Sequence, residues 1–339
     1  MSLLLHEIFS AREYLKTYYP SDFNQKDFLF AIQRVGEEMQ KPERVFDIGE
    51  LSQKIALPSE AIENAAIFYF LQTVARRLLA IFPRGDATLL DVGGGPTIYQ
   101  HIPLCLNVAH IIHADFLLEN QEEVRRYLAG DASSYFWKNY YLAVQKILRE
   151  DEQYQSLLST QMEYEENNIR EHARSLREIL FSGNESMFEA RLKCVIGENV
   201  ISCDVFSPTL EARGESALIQ ALRRTTAQGI PNIISAHFLV ESATEGYKQW
   251  EQGVVHLIER LSLGGCFIMT AIRNASWYKV GTRRVPAVSI NEQILKKFLE
   301  EHGIVVEDIQ VLVGSDKKSH GYDGMVFVFG RKTTVIGRA

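Results

Sequence analysis

Three acids, each closing a short apolar run, carry the strongest chemical signal in this chain. The first is Asp91, which opens Asp91-Val-Gly93-Gly94-Gly95-Pro96-Thr97. Glycines between a strand and the element after it let backbone approach a ligand without a Cβ clash, and they permit positive φ. Pro96 suits a first helical turn, so the segment reads as strand, glycine turn, helix. The second acid, Asp115, ends the run His110–Asp115. An acid about 20 residues beyond a glycine turn can hydrogen-bond ribose hydroxyls. The third, Asp204, ends the run Glu198–Phe206 and is placed to reach an adenine amino group. The G-x-G-x-x-G pattern is not completed, because Ile98 takes its last position, and no G-x-x-x-x-G-K-[ST] occurs. Glycine loop, ribose acid and adenine acid in this order point to a nucleoside ligand with no required pyrophosphate. S-adenosylmethionine fits that description better than NAD.

Other residue types could contribute beside that site. His237 ends a fourth apolar run, where an imidazole could act as a base near neutral pH or sit as a hydrogen-bonded, partly buried side chain. His110 and His113 read as structural or surface residues. The aromatic knot Tyr135-Phe136-Trp137 with Tyr140 and Tyr141 could wall a cation pocket or dock a helix onto the core. The charges from Arg170 to Glu178 read as a solvated helix face, and Asp316 to His320 as an exposed loop. The four cysteines (Cys105, Cys194, Cys203, Cys266) form no C-x-x-C pair and no zinc-finger spacing, so neither a metal site nor a disulfide framework is expected.

The elements that must position these residues follow from periodicity. Apolar positions Ile62, Ala65, Ala66, Tyr69, Val74, Leu78 and Ile81 recur at helical spacing, between a Pro58-Ser59 start and a Pro83-Arg84-Gly85 stop. Residues 1–86 are therefore expected to form a helical lid. From residue 87 to 332, short apolar runs alternate with helical patterns. That alternation predicts an α/β fold with a mostly parallel sheet. Its last two runs lie too close together for a parallel crossover and should pair antiparallel. The interval between Asp115 and Asp204 is far longer than a crossover needs, so residues of about 121–197 are read as an inserted helical cap over the ligand. Residues 333–339 are a tail. At 339 residues, 46% hydrophobic and 23% charged, the chain is expected to bury a core rather than to be disordered or a coiled coil. A net charge of −7 offers no basic footprint for nucleic acid. No stretch of 18 apolar residues and no basic, apolar leader occur, so a cytoplasmic protein without membrane contact is expected. Oligomeric state is left open.

The loop, extended, resembles a known family. Asp91-Val-Gly-Gly-Gly-Pro-Thr-Ile-Tyr99-Gln100 is similar to the D-I-G-x-G-P-T-I-Y-Q stretch of the nicotinamide, phenylethanolamine and indolethylamine (thioether) N-methyltransferases. Arg12-Glu-Tyr14-Leu-Lys-Thr-Tyr18-Tyr19 resembles their D-Y-L-x-x-Y-Y, and Ser202-Cys-Asp204-Val205 their K-C-D-V. The stretch Phe267 to Gly281 resembles their strand-five region. The resemblance implies a Rossmann-like class I methyltransferase fold, with a seven-stranded, mostly parallel sheet and an antiparallel last strand. It implies S-adenosylmethionine as cofactor, held by Tyr14, Tyr19, Gly93, Gly94, Gly95, Thr97, Tyr99, Asp115, Asn120, Asp204, Val205 and Ala236. Tyr278, His237 and Glu241 are the candidate catalytic residues. Thr270 stands where the family keeps an acid that orients the substrate amine, and Glu241 matches a second family acid only with one residue inserted.

The implied function is therefore an S-adenosylmethionine-dependent N-methyltransferase acting on a small molecule. The missing acid leaves an alternative open. The cofactor's own α-amine could attack its γ-carbon, closing an azetidine ring and releasing methylthioadenosine. A non-catalytic binding relative would require a damaged cofactor site, and Asp91, Gly93, Gly95, Asp115 and Asp204 are all in place.

Overall fold

In the chain's computed structural model, residues 10–18, 25–39, 45–134, 137–182, 184–212, 216–244, 246–280, 282–314 and 320–334 are described. Five parallel strands form the centre: β2 (Thr88–Val92), β3 (His110–Asp115), β4 (Val200–Ser202), β5 (Ile233–His237) and β6 (Cys266–Arg273). The hairpin of β9 (Ile304–Val313) and β10 (Gly324–Lys332) closes the sheet, with β10 antiparallel to both β6 and β9. A short strand, β1 (Val45–Asp47), adds in parallel to the outer edge of β9. The full order is β1-β9-β10-β6-β5-β2-β3-β4.

That order carries the expected parallel sheet with its antiparallel last strand, and it corrects the expectation at one edge. Eight strands are present rather than seven, because Val45-Phe46-Asp47 lies in the region expected to be helical throughout. Three residues are too few to show a period-two pattern. What makes them a strand is the unpaired edge of Val311–Val313 beside them. A separate ribbon of β7 (Trp277–Val280) and β8 (Arg283–Pro286) projects after β6.

The strands are predominantly apolar on both sides because both faces are covered. Successive residues point to opposite sides. Leu89, Ile111, Ile233, Ile268 and Phe329 enter one core, and Leu90, Ile112, Ile234, Phe267 and Val328 enter the other. The second core is closed by α10 (Ala217–Thr225), α11 (Tyr247–Arg260) and α12 (Glu292–Glu301). The first is closed by α4 (Ser59–Ile81), which is apolar on nearly every side because it is the middle layer of a sandwich. Around and outside it lie α1 (Ala11–Tyr18), α2 (Gln25–Met39) and α3 (Ile48–Ile55). The inserted helices are α5 (Leu118–Leu128), α6 (Lys138–Glu150), α7 (Glu152–Met162), α8 (Asn167–Phe181) and α9 (Glu185–Ile196).

The insertion therefore sits on a sheet face. Tyr140 stacks on Phe68 of α4 at 5.3 Å between ring centroids, and Gln161 Nε2 donates to Leu79 O at 2.8 Å. Gln72 of α4 donates to the Asp151 carboxylate at 2.6 Å, and Arg76 pairs with the same group at 3.4 Å. Trp137, Tyr140 and Tyr141 are buried in this packing, while Tyr135 and Phe136 fall outside the described residues. No helix among the described residues is long and apolar enough to cross a membrane. If the insertion is a packing layer, Tyr140→Ala should lower stability by about 3 kcal/mol in urea denaturation. It should also leave cofactor affinity unchanged by calorimetry. A matching loss of affinity would return these helices to the role of a ligand cover.

Candidate functional site

Ligands of open parallel sheets bind beyond the carboxyl ends of the strands. A cavity of about 290 Å³ lies there, at the ends of β2, β3, β5 and β6. One side of its wall is the glycine loop. Gly93 N donates to Ala114 O at 2.7 Å, tying the loop to β3. Gly93 and Gly95 have φ of +70° and +64°, the region that disfavours a side chain. A Cβ on Gly94 would come within 2.4 Å of the His113 ring and 2.5 Å of Asp91 Oδ2, whereas one on Gly95 would meet nothing within 4 Å. Gly95 thus offers bare backbone to the cavity, and Gly94 is small because of what lies behind it.

After the loop the chain turns rather than forming the expected helix. The Thr97 hydroxyl donates to Gly94 O at 2.8 Å, and Gln100 Nε2 donates to Gly94 O and Asp91 Oδ2, both at 3.0 Å. Side chains that take carbonyls locally compete with a helical ladder. Asp91 is fully buried and also accepts from the Ser235 hydroxyl at 2.5 Å, so it anchors the loop and does not line the cavity.

Asp115 does line it. Its Oδ2 accepts from Gly95 N at 2.9 Å, and its Oδ1 from Leu117 N at 2.8 Å and Asn120 Nδ2 at 3.0 Å. Burial nevertheless outweighs these bonds and lifts its carboxyl to about 6. Asn120 Oδ1 is buried with no hydrogen-bond partner among the described residues.

The other side of the wall is built from distant parts of the chain. Tyr14 and Tyr18 come from α1, and the Tyr18 hydroxyl donates to Lys279 O at 2.8 Å. Burial raises Tyr18 to about 12 and raises Tyr278 and Tyr322 as well, so all three stay phenols. The Tyr322 hydroxyl donates to the Glu63 carboxylate at 3.1 Å. His237 stands between the two sides, its ring centroid 6.4 Å from that of Tyr99. Its Nδ1 is 3.1 Å from Thr270 Oγ1, and its buried Nε2 has no partner among the described residues. Desolvation lowers its pKa, which keeps the imidazole neutral. Phe238, just after it, holds φ of +54° with its N–H on Thr270 O at 2.8 Å, a strained residue fixed by the neighbouring strand.

Of the residues expected at the site, Tyr14, Gly93, Gly94, Gly95, Thr97, Tyr99, Asp115, Asn120, His237 and Tyr278 meet around this one cavity. Tyr19 lies outside the described residues. Four others stand away from the wall. Ala236 points to the opposite face of β5, into the second core. Asp204, half-buried, turns its carboxylate onto Phe206 N at 2.9 Å, and Val205 packs in the second core. Glu241 is fully buried beneath the site. Its Oε1 accepts from Ile272 N at 2.9 Å, and burial raises its carboxyl to about 7. That makes it an internal support of β6 rather than a wall residue. Sequence reasoning missed Tyr18, Glu63 and Tyr322. The signal for Glu63 was present: with Asn64 it is a polar interruption among apolar neighbours of α4.

The profile of the NNMT/PNMT/TEMT family matches residues 51–179 and 182–333. Phenylethanolamine N-methyltransferase of Macaca mulatta is 25% identical over 263 residues, covering 76% of this chain and 78% of that protein. Nicotinamide N-methyltransferase of Sus scrofa is 20% identical over 318 residues, covering 94% and 96%. Among solved structures, magnesium protoporphyrin IX methyltransferase of Synechocystis with bound S-adenosylmethionine covers 80% of this chain and 83% of its own, with 9% identity and a TM-score of 0.41.

If Asp115 accepts the ribose hydroxyls, Asp115→Ala should weaken S-adenosylmethionine binding by roughly 1–3 kcal/mol in calorimetry. Wild-type affinity should be full well above pH 6 and fall as pH drops through about 6, because protonation removes the acceptor charge. Equal affinity of the variant, or a flat profile across that range, would remove the assignment.

Proposed function

The chain belongs to the NNMT/PNMT/TEMT family and is an S-adenosylmethionine-dependent methyltransferase, and from that premise we propose that it methylates the nitrogen of a small amine held beside Glu63 and His237. The observation that carries this reading is the joining of the two groups in one cavity. Glycine loop and Asp115 line one side, and a buried carboxylate and a neutral imidazole line the other. The residues fit the cofactor. Gly95 leaves space where any side chain would intrude, and Asn120 Oδ1 is a buried acceptor open to a ligand donor. When bound, S-adenosylmethionine supplies an electrophilic methyl group on a sulfonium.

The chain's own residues then have separable tasks. Gly93, Gly94, Gly95, Thr97, Tyr99, Asp115 and Asn120 hold the nucleoside side. Tyr14 and Tyr18 cover the methionine end and exclude water, and phenol faces suit a positive sulfur. The Glu63 carboxylate, steadied by the Tyr322 hydroxyl, draws in and orients an ammonium group. An ammonium has no lone pair, so it must lose a proton before attack. His237 Nε2 is the acceptor for that proton, with Thr270 fixing the other ring nitrogen. Tyr278 closes the wall around the amine. Transfer then needs an in-line approach in a dry pocket, which is a matter of positioning. Glu63 also supplies the acid that position 270 lacks, and no wall residue favours ring closure over transfer.

Incubation with S-adenosylmethionine, with and without a panel of small amines, tests this directly. S-adenosylhomocysteine should form only when an amine is present. Methylthioadenosine formed without any acceptor would overturn the proposal in favour of ring closure. His237→Phe should lower kcat by about 10²–10⁴ with little change in cofactor affinity. Because burial holds His237 below its ordinary value of 6.5, the acid limb of kcat/KM should fall on the acidic side of that value. A limb above it would mean a different base.

A further inference from the structure

Behind the glycine loop, outside the cavity wall, three side chains with no exposure at all converge. His113 Nε2 lies 3.1 Å from Gly95 O, and His113 Nδ1 lies 3.0 Å from His101 Nε2. Asp91 Oδ2 is 3.5 Å from that His101 nitrogen and 3.9 Å from His113 Nδ1. Three such atoms can be the ligands of a metal or the links of a hydrogen-bond chain.

The protons separate the two. Gly95 O only accepts, so His113 Nε2 carries hydrogen and His113 Nδ1 is bare. The bare nitrogen accepts from His101 Nε2–H, which leaves His101 Nδ1 bare as well. That is the one ring nitrogen of the pair with no partner among the described residues. A metal on the same three atoms would force hydrogen onto His101 Nδ1, inside a dry core with nothing to accept it. Histidines that bind metals almost always donate that second N–H to a carbonyl, carboxylate or water. Burial also keeps both rings uncharged, lowering His101 to about 3 and His113 to about 4.

We propose that His113, oriented by His101, is a positioning residue for cofactor binding: it holds the Gly95 carbonyl from behind while Asp115 holds the Gly95 N–H from in front. This deepens the preceding reading and rests on the glycine loop being the cofactor's cradle. A glycine gripped on both of its peptide units stays at φ of +64° before the ligand arrives, so binding loses less to ordering the loop. The same ring fills the space a side chain at Gly94 would need.

The test compares wild type, His113→Phe, His113→Gln and His101→Phe by S-adenosylhomocysteine calorimetry, thermal melting, steady-state kinetics and elemental analysis. His113→Phe keeps a ring but loses the donor, and should weaken S-adenosylhomocysteine binding about tenfold or more with the acceptor KM unchanged. His113→Gln, whose amide retains an N–H, should recover most of that affinity. His101→Phe should show a smaller loss, since His113 can still donate. A fall in melting temperature with unchanged affinity in His113→Phe would reduce the pair to core packing and overturn the inference. Stoichiometric transition metal in wild type, lost in either phenylalanine variant, would overturn it in favour of a metal site. Wild type that failed to bind S-adenosylhomocysteine would remove the cofactor reading itself, an outcome distinct from equal binding by wild type and variant.

Discussion

One buried carboxylate, Asp115, joins the two loops on which the cavity depends. It receives the Gly95 amide after β2, and the Leu117 amide and Asn120 side chain after β3. Hydrogen bonds to a charged group are worth about 1.5–3 kcal/mol each, so these three bonds fix the carboxylate firmly, and the one from Gly95 adds to the Gly93 amide on Ala114 O that also links the two loops. They are still too few to offset loss of water completely, since the carboxyl remains raised to about 6. A carboxylate left in that condition gains from any further donor the cavity admits. In the reading proposed for this site, the tension between fixing the loop and staying short of donors lets one residue serve both as scaffold and as binding group. The grip on Gly95 from its carbonyl side completes the constraint, because a glycine held at one end alone would keep its rotational freedom.

What could be read in the sequence was what is decided locally or by burial on two faces. The runs 88–92, 110–115, 233–237 and 266–273 are mostly apolar because helices cover both sides, and that pattern survives without knowledge of any partner. The glycine loop and Asp115 were legible because the turn itself demands them. Asp204 stands apart from the cavity wall for an instructive reason. An acid after a strand follows the same local pattern whether it faces a ligand or, as here, turns onto the backbone of Phe206. The helix expected after Pro96 failed for a similar reason, since Thr97 and Gln100 divert the carbonyls that a helix would use.

The other side of the cavity was legible only in part (Tyr14, His237 and Tyr278), because the rest of it is made of contacts between remote positions. Tyr18 meets Lys279 across 261 residues, and Glu63 meets Tyr322 across 259. Neither pair has a spacing signature. The insertion was visible as a helical excess, but its destination was not. Amphipathic helices show that a face is buried and do not say against what. They pack on α4, and none of residues 121–197 lines the cavity, whereas α1, α4 and the ribbon after β6 do.

The exchange of an acid for Thr270 changes the logic of the site as well as its charge. A carboxylate at position 270, within hydrogen-bond distance of the His237 ring, would favour the charged imidazolium and leave less of the free imidazole. Threonine offers a neutral partner instead, and desolvation then holds His237 in its basic form. Negative charge is still needed to draw an ammonium out of water, and in the mechanism we propose Glu63 supplies it from α4, bound to a phenol rather than to the imidazole. Anchor and base thereby become separate groups on separate elements. In that arrangement each can be tuned without disturbing the other.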